Sequence, residues 1–129
     1  MSTVFVDTIK NQDGSTSLAA NKLPDMLSGS AKVWVNFNGT GTIVNRDSHN
    51  VSSLTDNGTG DYQINIFSAM NNASYYVGES GCTNTSSEIR HNGFLTRTAT
   101  AVQLECRANN GNGYSDPSYA GVGLLGDLA

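Results

Sequence analysis

The stretch "FNGTGTIVNRDSHNVSSLTDNGTGDYQI", residues 37–64, carries the tetrapeptide Asn-Gly-Thr-Gly twice, at residues 38–41 and 57–60. Glycine-rich repeats of this kind serve as phosphate cradles, as calcium loops or as turns. Neither copy is followed by the Lys and apolar helix that a phosphate loop requires. Neither has the acid spacing of a D-x-D-x-D-G calcium loop. Both lie between stretches in which apolar and polar residues alternate, and Asn and Gly accept the positive φ that tight hairpins need. The repeats therefore read as turns, and the residues on either side of them as strands.

Working outward, "AKVWVNFN" (residues 31–38) places Val33, Val35 and Phe37 on one face and Lys32, Trp34, Asn36 and Asn38 on the other. The first face reads as core. Trp34 reads either as core filler under a partly covered outer face or as a subunit contact. Further on, Tyr62, Ile64 and Ile66 alternate with polar residues, "ASYYVGE" is strand-like, and "SGCTNTSSE" reads as a polar loop. "IRHNGFLTRT" holds Asn92-Gly93 between short apolar segments, a hairpin signal. "TAVQLECR" puts Val102, Leu104 and Cys106 on one face, and "ANNGNGYSDPS" is the longest turn-rich loop. In "YAGVGLLG", Ala120, Val122 and Leu124 alternate with glycines 121 and 123, whose bare face implies close approach by something.

Upstream, "TVFVDTIK" is a short strand, Asp13-Gly14 marks a turn, and "LAANKLPDMLSGS" is a linker with one helical turn, since Pro24 blocks a longer helix. About eight or nine short strands at roughly ten-residue spacing predict an all-β chain. The expected architecture is an antiparallel β-sandwich, jelly-roll-like, with a short N-terminal extended segment. The expected division is an anchoring or linker segment over residues 1–30 and a sandwich domain over 31–129.

The chain's 129 residues suit one domain that buries a core without a metal. Only 14% of residues are charged, so solubility rests on Asn, Ser, Thr and backbone amides. Eleven acids against seven bases, net −4, argue against nucleic acid as the main partner, because phosphate contacts need clustered Lys and Arg. No apolar run reaches the length of a membrane span, and no signal-peptide pattern opens the chain. Membrane insertion is not expected, and synthesis in a cytoplasm is.

Catalytic constellations are not evident. His49 and His91 lie in polar surroundings, and no Ser sits in a G-x-S-x-G elbow. The carboxylate pairs Asp56/Asp61 and Glu79/Glu88 suggest a glycan hydrolase by count alone, but they flank turns, and Asp56 before Asn57-Gly58 is explained by turn chemistry. No catalytic residue, metal ligand or cofactor is assigned. N-x-S/T sequons at Asn38, Asn50, Asn57, Asn72 and Asn84 follow from an Asn- and Ser-rich composition and predict no glycan without a secretory leader. Cys82 and Cys106, 24 positions apart, make no metal signature. They are either two buried thiols or one disulfide, the latter if the mature protein works outside cells. The loop residues Asn109, Asn110, Asn112, Tyr114, Asp116 and Tyr119 form a candidate partner- or receptor-contact loop, since Tyr faces with Asn and Asp suit sugars and protein surfaces. An ordinary hairpin loop is the alternative.

"AKVWVNFNGTGT" followed by "NVSSLTDNGTGDYQINI" resembles a module of tail-fibre and related appendage proteins of tailed bacteriophages, particularly marine and cyanobacterial ones. Members carry similar A-K-x-W-V-N-F-x-G-T-G and S-S-I-T-D-N-G-T-G-D-Y patterns. The likeness is strong from Ala31 to about Ile66 and looser elsewhere, including the leader "VFVDTIKNQDGSTS" and the close "SYAGVGLLGDLA". It implies a β-sandwich on the outer surface of a virion, as a homotrimer among other virion structural proteins, made in the host cytoplasm. A host surface glycan or protein is the implied external partner. No receptor-contact residue is carried over by the resemblance. The expected role is attachment or assembly, with Val4, Phe5, Val6 and Ile9 as the anchoring strand and Trp34 as the subunit contact. Capsid decoration is the alternative role, and a small glycan depolymerase the third.

Overall fold

The computed structural model describes residues 8–10, 17–19, 27, 29–83, 89–107 and 113–129, with backbone alone at 17–19, 79–83, 89–92, 94 and 95. The chain divides into two compact units, Met1–Ser30 and Ala31–Ala129. In the first, β1 (Thr8–Lys10) pairs antiparallel with β2 (Ser17–Ala19), Ile9 opposite Leu18. Leu18 and Ala19 are thus strand where the sequence suggested linker: pairing with β1 overrides their weak local pattern. Leu27 and Gly29 have helical backbone. Of the proposed anchoring strand, Val4, Phe5 and Val6 lie outside the described residues, while Ile9 lies in β1 and is exposed.

The second unit is nearly all β. Its strands are β3 (Ala31–Asn38), β4 (Val44–His49), β5 (Val51–Gly58), β6 (Asp61–Ile66), β7 (Tyr76–Thr83), β8 (Ile89–Arg97), β9 (Ala101–Arg107) and β10 (Tyr119–Leu125). They form one antiparallel ribbon in the order β4-β3-β10-β7-β8-β9-β6-β5. Two corners fold this ribbon into two four-stranded layers. At the first, β8 changes partners partway: Ile89 and Arg90 pair with β7, and His91 onward pairs with β9. At the second, Asn50 alone joins β4 to β5 in the left-handed conformation, φ 56°. Asn tolerates that conformation better than other side-chain-bearing residues. Its side chain accepts from Ser68 N–H at 2.7 Å and donates to Ser68 C=O at 3.0 Å, tying the corner to the segment beyond β6. The two unpaired edges of the ribbon are therefore consecutive in the chain. This is the sandwich-like architecture expected from the strand spacing.

Alternation sets the core. Val33, Val35 and Phe37 from β3 and Ala120, Val122 and Leu124 from β10 face Tyr62, Ile64 and Ile66 from β6 and Val102, Leu104 and Cys106 from β9. Met70 and Tyr75 also belong to this buried cluster. Phe37 meets Tyr62 edge-on across the layers, centroids 5.1 Å apart. Each buried side chain of this size contributes roughly 1.5–3 kcal/mol. Ile64→Ala, at the centre, would cost about 2–5 kcal/mol.

Three local expectations fail. Trp34 is not core filler: it sits on the outer face of β3, 38% exposed, because its strand neighbours Val33 and Val35 take the inner positions. Asn92-Gly93 is not a hairpin turn but lies inside β8, opposite Cys106 and Glu105, and the chain reverses instead at residues 98–100. A β-carbon on Gly93 would lie 3.4 Å from the Glu105 carboxylate, an ordinary contact, so packing does not require glycine there. Finally, residues 80–83 belong to β7 rather than to a polar loop, because Thr83 pairs with Tyr119 and Cys82 with Arg90.

Candidate functional site

Both Asn-Gly-Thr-Gly segments are turns, and they converge on one buried tyrosine. In the first, the Asn38 side chain accepts from Thr40 N–H at 3.2 Å and from the Thr40 hydroxyl at 2.8 Å, while Gly41 takes φ +66°. In the second, Asp56 accepts from Gly58 N–H at 2.9 Å, and Gly58 and Gly60 take positive φ. Side chains that bind backbone two residues on are the reason Asn and Asp start such turns. Gly39 and Gly60 have an additional role. A β-carbon on Gly39 would collide with the Tyr62 hydroxyl, and one on Gly60 would lie 2.7 Å from Ser115 N. The glycines admit Tyr62 on one side and the segment 113–118 on the other.

That segment is the described end of the candidate contact loop, and it is clasped to the body at several points, among them Ser115 N–H donating to the Cys106 carbonyl at 3.0 Å. Asp116 accepts from the Tyr62 hydroxyl at 2.7 Å and from Gly60 N–H at 2.7 Å. The Pro117 carbonyl accepts from Gly39 N–H at 2.8 Å. Tyr114 donates its hydroxyl to Glu105 at 2.8 Å, and Arg107 closes the cluster with a 3.0 Å ion pair to the same carboxylate and its guanidinium 4.9 Å from the Tyr114 ring. Glu105, on the outer face of β9, is thereby buried yet paired. Burial and then the Asp116 contact push the Tyr62 hydroxyl well above the usual phenol range. The Glu105 hydrogen bond raises Tyr114 and, foremost among its causes, raises Arg107.

Of the loop residues proposed for contact, Asn109, Asn110 and Asn112 lie outside the described residues. Asp116 is turned inward as a fastener. Tyr114 and Tyr119 are about half-exposed, and Tyr119 stacks under Arg46, whose guanidinium carbon lies 4.0 Å from the ring centre. Trp34 is not near this clasp in the strand register. It pairs with His49 on β4 and with Gly123 on β10, which in turn pairs with Gly78 on β7. The outer face here carries aromatic side chains at Trp34 and Tyr76 and none at the two glycines between strands. The alternation in "ASYYVGE" puts Tyr76 on the opposite face from Tyr75 and Val77, but the sequence reading did not single it out as a surface feature.

Cys106 is fully buried and disulfide-bonded, and the sequence holds one other cysteine, Cys82. Of the two readings left open by spacing, the structure takes the bonded one.

Of the carboxylate pairs, Asp56 and Asp61 are described, and each is held in hydrogen bonds to its own frame. Asp61 accepts from Gln103 at 2.8 and 3.0 Å and from Asn57 at 3.3 Å, and Asp56 caps its own turn. The Glu79 side chain and Glu88 lie outside the described residues, as does the His91 side chain, while His49 is exposed on β4. Among the described residues no three His, Cys, Asp or Glu side chains gather as a metal site, and no helix is long and apolar enough to cross a membrane. The arrangement presents exposed aromatic side chains, Trp34, Tyr76, Tyr114 and Tyr119, beside hydrogen-bonded turns.

No family model, no curated protein and no solved structure matches the chain significantly.

Proposed function

We propose that the protein is an adhesion and assembly module. More particularly, it is a structural virion protein of a tailed bacteriophage, of the tail-fibre or receptor-binding type, helping the particle attach to its host. The observation that carries the reading is the long motif from Ala31 to Ile66, which resembles appendage modules in residues that serve distinct structural ends. Trp34 faces outward, while Gly39, Gly60 and Tyr62 build the frame.

Two further observations support it. A disulfide suits a particle that works outside cells. The carboxylates Asp56, Asp61, Glu105 and Asp116 are all engaged in structural hydrogen bonds, which favours binding over hydrolysis. In this reading residues 1–30 anchor the chain by strand pairing with a neighbouring virion protein, and the sandwich is displayed. Homotrimer formation covers part of the outer faces.

The test is a virus carrying the chain without residues 1–30. The truncated protein should fold with an all-β spectrum and be missing from purified particles; normal incorporation removes the anchoring role. Labelling the full-length protein on intact particles separates attachment from decoration, since a signal over the head lattice supports the latter.

A further inference from the structure

Two glycines in line with Trp34, Gly123 on β10 and Gly78 on β7, have no explanation among the described residues. A β-carbon added to Gly123 would meet nothing within 4 Å, and Gly123 is not at positive φ. At Gly78 the nearest atom is Cε1 of Tyr76 at 3.6 Å, an ordinary contact. Glycine inside a strand costs about 0.5–1 kcal/mol relative to alanine. Two of them side by side on neighbouring strands, Gly123 opposite Gly78, therefore leave a gap that faces outward and that no described residue fills.

Aromatic rings flank the gap. Trp34 stands directly across from Gly123 on β3, and Tyr76 precedes Gly78 by two residues on the same face of β7. Trp34 is 38% and Tyr76 66% exposed. From β3 across β10 to β7 is two strand spacings, about 10 Å. The floor is bare backbone and the sides are rings, so the site is shallow and about as wide as one or two six-membered sugar rings.

We propose that Trp34, Gly123, Gly78 and Tyr76 form a binding site for a neutral glycan. This deepens the attachment reading and rests on it. A pyranose presents an apolar C–H face and a rim of hydroxyls. Trp and Tyr offer the matching combination, a flat apolar body with a polar tip that stays wet. Charge favours the neutral class: none of the four residues is charged, and although Lys32 stands two residues from Trp34 on the same face of β3, the net charge of −4 repels a polyanion. Area argues against a second copy as the occupant. The exposed parts of the two rings amount to on the order of 250 Å², well below the roughly 800 Å² that each partner buries in a stable protein interface. The outer face of the other layer is a weaker candidate because its polar groups already satisfy one another. Gln63 donates to Asn65, Asn65 to Ser53 and Thr55, and Gln103 to Asp61.

Trp34 is the chain's single tryptophan, so its fluorescence reports on this site alone. The full-length protein is titrated with hexasaccharides of glucose, galactose and mannose, and with polygalacturonate as the acidic comparison. At least one neutral hexasaccharide should give a saturable change, with polygalacturonate giving none. Gly123→Val, which fills the gap, and Tyr76→Ala, which removes one side, should each weaken binding about tenfold or more. The proposal falls if no neutral sugar shifts the signal, if only polygalacturonate does, or if both variants bind as the parent does. It also falls if Gly123→Val alters sedimentation while leaving sugar binding intact, which would assign the face to a second copy. Failure of this site is distinct from failure of the attachment role. Particles bearing Gly123→Val that adsorb normally overturn the site alone, whereas absence of the parent protein from purified particles overturns the role.

Discussion

Tyr62 and Asp116, 54 residues apart in sequence, are joined by a 2.7 Å hydrogen bond from the phenol to the carboxylate. The same hydroxyl lies 3.1 Å from the Gly39 carbonyl. This bond fixes the last loop of the sandwich over both glycine-rich turns, and it makes the two glycines of the first turn separable by experiment. Gly41 is needed for its φ of +66°, whereas Gly39 is needed for space. Gly41→Asn should therefore be mild, because Asn enters the left-handed region readily. Gly39→Asn should cost more, about 1–3 kcal/mol or beyond, by overpacking against Tyr62. Urea unfolding of the two variants checks the order, and equal costs would contradict the packing role of Gly39.

Alkaline pH should weaken the fold through the tyrosines. Burial raises the pKa of both Tyr62 and Tyr75 in the folded state, with Asp116 adding to the effect at Tyr62. Above the ordinary phenol value, about 10, the unfolded chain releases these protons while the folded chain keeps them. Stability is then full below that pH and falls as pH rises toward the folded-state values. Unfolding midpoints measured from pH 8 to 11.5 should show this decline. Tyr62→Phe, although destabilised by about 1 kcal/mol at neutral pH through loss of the hydroxyl's bonds, should show a shallower one. An unchanged slope would mean that Tyr62 does not contribute.

Reduction should lower the melting temperature. The Cys106 disulfide, closed with the only other cysteine, constrains 24 positions of chain. Loop-closure entropy puts its contribution at roughly 3 kcal/mol. For a body of about a hundred residues that is on the order of 10 °C or more in Tm. Calorimetry with and without reductant, and on Cys82→Ser/Cys106→Ser, should give the same shift.

The Glu105 clasp should govern how firmly residues 113–118 are held. Tyr114→Phe removes the hydroxyl's 2.8 Å bond to Glu105 but leaves the ring under Arg107. Amide exchange at Ser115, whose N–H donates to the Cys106 carbonyl at 3.0 Å, should then accelerate several-fold, while amides of β6 and β3 stay protected. Uniform acceleration through the sandwich would show instead that the clasp supports the whole fold.

Alternation carried most of what was legible. The inward positions of β3, β6, β9 and β10 follow from period-two patterning, because each of those strands has one face in the core. The glycine-rich turns were legible as turns, for Asn38 and Asp56 sit where side chain-to-backbone bonds start them. Asn92-Gly93 misled because long-range pairing overrides the local turn signal: the two residues lie opposite Cys106 and Glu105 on β9, partners that local sequence does not announce. Trp34 was placed on the correct face by its pattern, but large apolar size alone suggested burial. The gap next to it depends on cross-strand register, Trp34 with Gly123 with Gly78, which only pairing reveals. Close approach at the bare positions of β10 was expected, and at Gly123 nothing among the described residues supplies it.

Strand β10 lies between β3 and β7, and it is the last of the ten to leave the ribosome. Until it emerges, both of its neighbours present raw hydrogen-bonding edges, and nascent chains crowded on a messenger can stitch together through them. Production of this protein in a heterologous cell should thus be most vulnerable to stalling or nicking within β10 itself. A folding helper that shields β3 late in translation would raise yield more than one acting early.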